Sequence, residues 1–235
     1  GSAAMRREPT RFLMANLDAA APLLRAVEAG VVPRVIVAGS AGEYPRLAAM
    51  GEEPRALSPA DVWRGPPAAG GYGLARRTIS QLLLDASQAA GTEAAVLVLP
   101  TVYGPGDGAT KTGGVNTQQL RALPAFVLRM LAALTEGSSE VKHFGSGFEQ
   151  RDFLHVDDAV AAFVAAVRAP IAGRRLHVTS GVAVRMAEVA QLAAQATGYE
   201  GQHIWLHRAD GQRDSADHVW LGAAGLDALG FTPQR

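Results

Sequence analysis

Two short apolar runs constrain this chain more than any other feature. VPRVIVAG (32–39) and EAAVLVLP (93–100) are largely β-branched or aliphatic, which is the pattern of strands buried on both faces rather than one. A helical stripe precedes the first run. Leu13, Leu17, Leu23, Leu24 and Val27 mark a helix over residues 10–29, and Gly30 is a natural stop. Another helix is expected over 72–90, stopped by Gly91. Helix, strand, helix, strand in that order argues for an α/β fold, a doubly wound parallel sheet with right-handed crossovers. Further on, a helix is expected at 125–135, a strand at 140–144, and a helix capped by Asp157 or Asp158 and running to Arg168. A strand at 174–180, a helix at 184–197, a short strand near 203–206 and a small helix near 222–228 complete the reading.

Composition sets limits. With 235 residues, 48% of them apolar, the chain can bury a sizeable core. Its 22 basic residues balance 22 acidic ones, so neither a nucleic-acid partner nor a basic membrane-binding face is expected. No apolar run approaches the roughly 20 residues of a membrane helix. There is no cysteine, which excludes disulfides and thiolate metal sites and fits a cytoplasmic protein. GSAAM at the start reads as an expression remnant ending at a candidate native Met5, with no secretory pattern.

Four segments carry candidate chemistry. In AGSAGEYP (38–45), Ser40 sits at the carboxyl end of the first strand, where such sheets bind ligands. In GGYGLARR (70–77), Tyr72 stands four residues before Arg76 on a helix. To act near pH 7, a phenol that titrates at about 10 needs its phenolate stabilised by roughly 4 kcal/mol. A cation about 4 Å away, at an effective dielectric of about 20, supplies about that much. An ordinary i,i+4 surface contact is the plainer alternative. The third segment is PTVYGPGD (100–107). In the fourth, GSGFEQRDFLHVDDAV (145–160), the Arg151 fork suits a phosphate or a structural pair with Asp152 or Asp157. Ala38-x-Ser40-x-Gly42 also approximates a nucleophile elbow, with His155 and Asp157 downstream, so a serine hydrolase is a remote alternative. No metal site is expected. His155, Asp157 and Asp158, or His203 and His207, lack reliable ligand spacing.

Taken in order, AGSAGEYP, Tyr72-x-x-x-Arg76, LVLPTVYGPGD, FGSGFEQRDFLHVDDAV and LDALGFTP (226–233) resemble the extended short-chain dehydrogenase/reductases, the NAD-dependent epimerase/dehydratase family. EYPRLA (43–48) and RALPAF (121–126) resemble its GDP-fucose-synthase-like members. The resemblance implies catalytic roles for Ser40, Tyr72 and Arg76. It implies cofactor contacts from Tyr72, Arg76 and Pro100, and substrate contacts from Thr101, Arg121 and Arg151. It further implies NAD or NADP as cofactor, a nucleotide-linked keto sugar as substrate, and a homodimer through helices 10–29 and 72–90.

The chain departs from the family pattern in several places. The Gly-rich phosphate loop is absent, which puts the cofactor in doubt. The sheet is therefore expected to be incomplete, without its N-terminal strands, and strand 34–39 to form an edge that another chain could complete. The usual Lys is Arg76. The branch's epimerase bases fall on Gly42 and Arg121, neither of which can serve as a base near neutral pH. The dehydratase pair falls on Ala41 and Gly42, with Glu43 one position late. Keto reduction with Tyr72 as proton donor is the function expected. The alternative is an NAD-independent relative acting as an isomerase, a cyclase or an assembly partner. The domains expected are a partial Rossmann-like unit at 6–110, receiving 150–180, and a small α+β substrate-binding part at 111–149 and 181–235.

Overall fold

The computed structural model describes Met5 and residues 7–107, 120–206, 218–223 and 225–234. Part of the 104–122 loop and His207 lie outside the described residues. Helix α1 (Pro9–Glu28) opens on a proline in its first turn and is followed by Gly30 at φ +66°. Strand β1 (Arg34–Ser40) leads through 3-10 turns to α2 (Gly70–Ala90), which ends at Gly91 in the left-handed region. Then come β2 (Glu93–Leu99), β3 (Thr101–Tyr103), α3 (Ala122–Glu136), β4 (Glu140–Phe144) and β5 (Gln150–His155). The chain closes with α4 (Val156–Ala166), β6 (Arg174–His177), β7 (Ala183–Arg185), α5 (Met186–Thr197) and β8 (Gln202–Leu206). No described helix is long and apolar enough to cross a membrane.

The main sheet is parallel, in the order β1-β2-β6, and β1 is its outer strand among the described residues. The central strand explains its own sequence. Ala94, Val96 and Val98 pack on one face with Val27, Val35 and Leu83, under α1 and α2. Ala95 and Leu97 pack on the other with Ala159, Ala162 and Ala166 of α4. Both faces are covered, so every position of the run must be apolar. A third core joins α3, α5 and β4 through Phe126, Met130, Val141, Val189 and Ala193.

Four elements differ from expectation. The cap of α4 is His155, whose Nδ1 accepts the Asp157 amide at 3.2 Å; Asp157 and Asp158 fall in the first turn instead. The displacement follows from β5 running straight into the helix, so that His155 is the last extended residue. The expected 174–180 strand stops at His177, the first residues of the 184–197 helix belong to β7, and the tail helix is a 3-10 turn at Asp227–Leu229.

Buried histidines make the fold sensitive to acid. His177 is 0% exposed, and burial pushes its pKa down to about 4. Its Nδ1 lies 3.3 Å from the Gly222 carbonyl, which can only accept, so Nδ1 carries the proton and Nε2 accepts from the Tyr44 hydroxyl at 2.8 Å. Burial likewise lowers His143, to about 4. The unfolded imidazole titrates at about 6.5, so the unfolded state binds more protons as pH falls from there to about 4. Stability is complete above that window and declines through it, by on the order of 3 kcal/mol for His177 alone. Urea midpoints measured across the window should fall, and His177→Asn should flatten the decline.

Candidate active site

The site begins where β1 ends. Ser40 is extended, and its Oγ accepts the Gly42 amide at 3.1 Å. Glu43 reaches back so that its Oε1 accepts the Ser40 amide at 2.8 Å, closing a reciprocal capping box around the turn. The Glu43 side chain is wholly buried. Its Oε2 lies 2.5 Å from Arg175 Nη1 on β6, and Ser80 donates to Oε1 at 3.2 Å. Arg77 donates through Nε to the Glu43 carbonyl at 2.7 Å and through Nη1 to the Gly65 carbonyl at 2.9 Å. Glu43, which reads in sequence as a late member of a dehydratase pair, is thus an internal tie between the turn, α2 and β6.

Two glycines bring α2 against this turn. A Cβ on Gly73 would lie 2.2 Å from the Gly42 carbonyl oxygen, and one on Gly42 would lie 2.8 Å from Ala69 Cβ. The space a Gly42 side chain would take is bordered by Ser40 Oγ at 3.3 Å and the Tyr72 ring at 3.7 Å. The structure therefore brings Ser40 and Tyr72, 32 positions apart in sequence, to one place at the carboxyl end of β1. Gly73→Ala drives a Cβ into backbone and should cost about 1–3 kcal/mol, or roughly 3–10 °C in Tm, checked by thermal melting.

Arg76 is placed differently from a simple partner of Tyr72. Its guanidinium donates to the Ala38 carbonyl. The Pro33 carbonyl accepts the Glu93 amide from β2, and strand carbonyls alternate in direction, so the Ala38 carbonyl and the Ser40 amide both face the open side of β1. Arg76 satisfies the first and Glu43 the second. The carboxyl half of the sheet edge is closed by side chains.

The other candidates follow the register. Ser40 pairs with Leu99, so Pro100 comes immediately after the residue opposite it, and Thr101 opens β3 opposite Phe153 of β5. Arg151 lies two residues before Phe153, is half-buried and donates to the Gln150 carbonyl at 2.9 Å. Arg121 precedes α3 and holds Asp107 through Nε at 3.0 Å and Nη2 at 2.7 Å. His155 is occupied as a cap and packs edge-on against Tyr103, and the Ser40 hydroxyl engages the Gly42 amide. His203 Nδ1 lies 2.9 Å from His143 Nε2. Among the described residues no cluster of three or more His, Cys, Asp or Glu could hold a metal.

Residues 1–179 match the model of the NAD dependent epimerase/dehydratase family. The chain belongs to this family. Family membership and the Rossmann-like sheet agree with the resemblance carried by the ordered motifs. Among curated proteins, the chain is 25% identical over 226 residues to GDP-L-fucose synthase 1 of Arabidopsis thaliana, covering 96% of this chain and 66% of that one. It is 25% identical over 215 residues to GDP-L-fucose synthase of Escherichia coli strain K12, covering 87% and 64%. This family member therefore spans about two thirds of the length of the curated relatives it matches. Among solved structures, UDP-glucose 4-epimerase from Thermotoga maritima superposes with a TM-score of 0.79 at 23% identity, covering 100% of this chain and 69% of that one. A GDP-mannoheptose C4 reductase from Campylobacter jejuni with NADP bound gives 0.80 at 20% identity, covering 99% and 73%.

Proposed function

We propose that this family member reduces a keto group on a nucleotide-linked sugar, with Tyr72 as proton donor and Ser40 as the second hydrogen bond to the keto oxygen. One observation carries the reading: the Ser40 hydroxyl and the edge of the Tyr72 ring both lie within 4 Å of the point where a Gly42 Cβ would stand, 3.3 Å and 3.7 Å away. Ser40 Oγ already accepts the Gly42 amide, so its hydroxyl hydrogen is left for a ligand oxygen. When bound, the reduced nicotinamide supplies the hydride to the keto carbon. Tyr72 delivers its phenolic proton to the oxygen as the carbon–oxygen double bond becomes single, and an alcohol results. Gly42 and Arg121 offer no base for epimerisation.

Tyr72 at the start of α2, Pro100 just after β2, and Arg76 one helical turn on are the proposed contacts to the nicotinamide end of NAD or NADP. The described residues offer no glycine-rich turn between a sheet strand and a following helix, so no step is assigned to the pyrophosphate. Thr101 and Arg151 are the proposed contacts to sugar and diphosphate, with Arg121 beside Asp107 at the rim. The outer faces of α1 and α2 expose Met14, Leu74 and Leu82, which suits the proposed homodimer. The cysteine-free sequence suits the cytoplasm. Thermal melting tests cofactor use. NADH or NADPH at about 100 times its Kd should stabilise the protein by about 2.7 kcal/mol, and no shift with either at millimolar concentration would count against reduction.

A further inference from the structure

We infer that the buried Glu43–Arg175 pair is a positioning device for Ser40, fixing the direction in which its hydroxyl points; this rests on the reading of Ser40 as a partner of the keto oxygen. Glu43 is 0% exposed and the Arg175 side chain 7%. The carboxylate divides its work. Oε1 takes the Ser40 amide and the Ser80 hydroxyl, while Oε2 takes Arg175. A buried ion pair is a poor source of stability, because desolvation offsets most of its attraction. This one is not even fully satisfied, since Arg175 Nη2 is buried without a hydrogen-bond partner. A hydrocarbon at position 43 would fill the same space but leave the Ser40 amide, which faces the open side of the sheet, without its acceptor. What the carboxylate provides is the geometry of the turn. With the Ser40 amide held at one end and the Gly42 amide bound to Ser40 Oγ, the hydroxyl oxygen is held on the side of the turn that carries the Tyr72 ring. Arg175 on β6 fixes the carboxylate from below, so the aim of Ser40 is set by a residue 135 positions away in the chain.

Two double variants test this while removing both charges together. Glu43→Leu with Arg175→Met deletes the acceptor for the Ser40 amide. Glu43→Gln with Arg175→Met keeps an amide oxygen in its place. Hydrogen exchange of the Ser40 amide, read in nitrogen-15-labelled protein, should speed up at least about tenfold in the leucine variant. Its kcat for keto reduction should fall about 10–100-fold with KM nearly unchanged, and the glutamine variant should recover both. If the leucine variant folds with wild-type exchange at Ser40 and wild-type kcat, or if both variants fail to fold, the pair is structural only and the inference falls. Should the wild-type protein reduce no keto sugar, the proposed function fails, while the exchange measurement still decides whether Glu43 and Arg175 hold the Ser40 turn.

Discussion

Tyr72→Phe is expected to lower kcat for keto reduction by about 10²–10⁴-fold, the usual contribution of a positioned general acid, with little change in KM or Tm. The substitution removes one oxygen. The ring that borders the Gly42 space remains, so the packing of α2 on the turn, set by Gly42 and Gly73, is undisturbed. Steady-state kinetics with reduced nicotinamide and a keto sugar nucleotide check it. A loss below about threefold would mean that the proton comes from elsewhere, for a general acid in this position cannot be removed so cheaply.

Breaking the Glu43–Arg175 pair on one side should have the largest effect on stability. Arg175→Met leaves the Glu43 carboxylate buried with only the Ser40 amide and the Ser80 hydroxyl as partners. The Arg77 guanidinium still favours the carboxylate's charge, so losing one partner of this buried pair costs up to about 3–5 kcal/mol, or roughly 6–20 °C in Tm. The double variant Glu43→Leu with Arg175→Met removes the charge as well and should return most of that loss. Urea unfolding of the single and double variants gives the comparison. A single variant within about 1 kcal/mol of wild type would mean that water reaches the carboxylate.

The sheet was legible because its physics is local. After Glu93, the run AAVLVLP has no polar position to turn toward water, so it had to be covered on both faces, and it is, by α1 and α2 on one side and α4 on the other. Helix ends at Gly30 and Gly91 were legible for the same reason, since a left-handed backbone selects glycine. Strands β3 and β7 were not, because three residues carry no period. Nor was β5, whose QRDFLH mixes charge with apolar residues and is defined by its partners.

The site was legible in its parts and not in its wiring. Ser40 stood out by its place after a strand, and Tyr72 by its spacing to a cation. That both border one space depends on the Gly42–Gly73 contact, which neither segment announces alone. Arg76 looked like a helical neighbour of Tyr72, and the structure shows it serving the Ala38 carbonyl on the sheet edge. Glu43 and Arg175 form a buried tie between the first strand's turn and β6. A charge pair 132 positions apart leaves no local pattern to read.

One measurement bears most directly on the account: oxidation of NADPH or NADH by the protein in the presence of a nucleotide-linked 4-keto sugar, followed by absorbance with wild type and Tyr72→Phe side by side. The account predicts oxidation that depends on the keto sugar, yields the corresponding alcohol, and nearly vanishes in Tyr72→Phe. Binding of the keto sugar nucleotide with no consumption of either reduced nicotinamide, or equal turnover by both proteins, would contradict it.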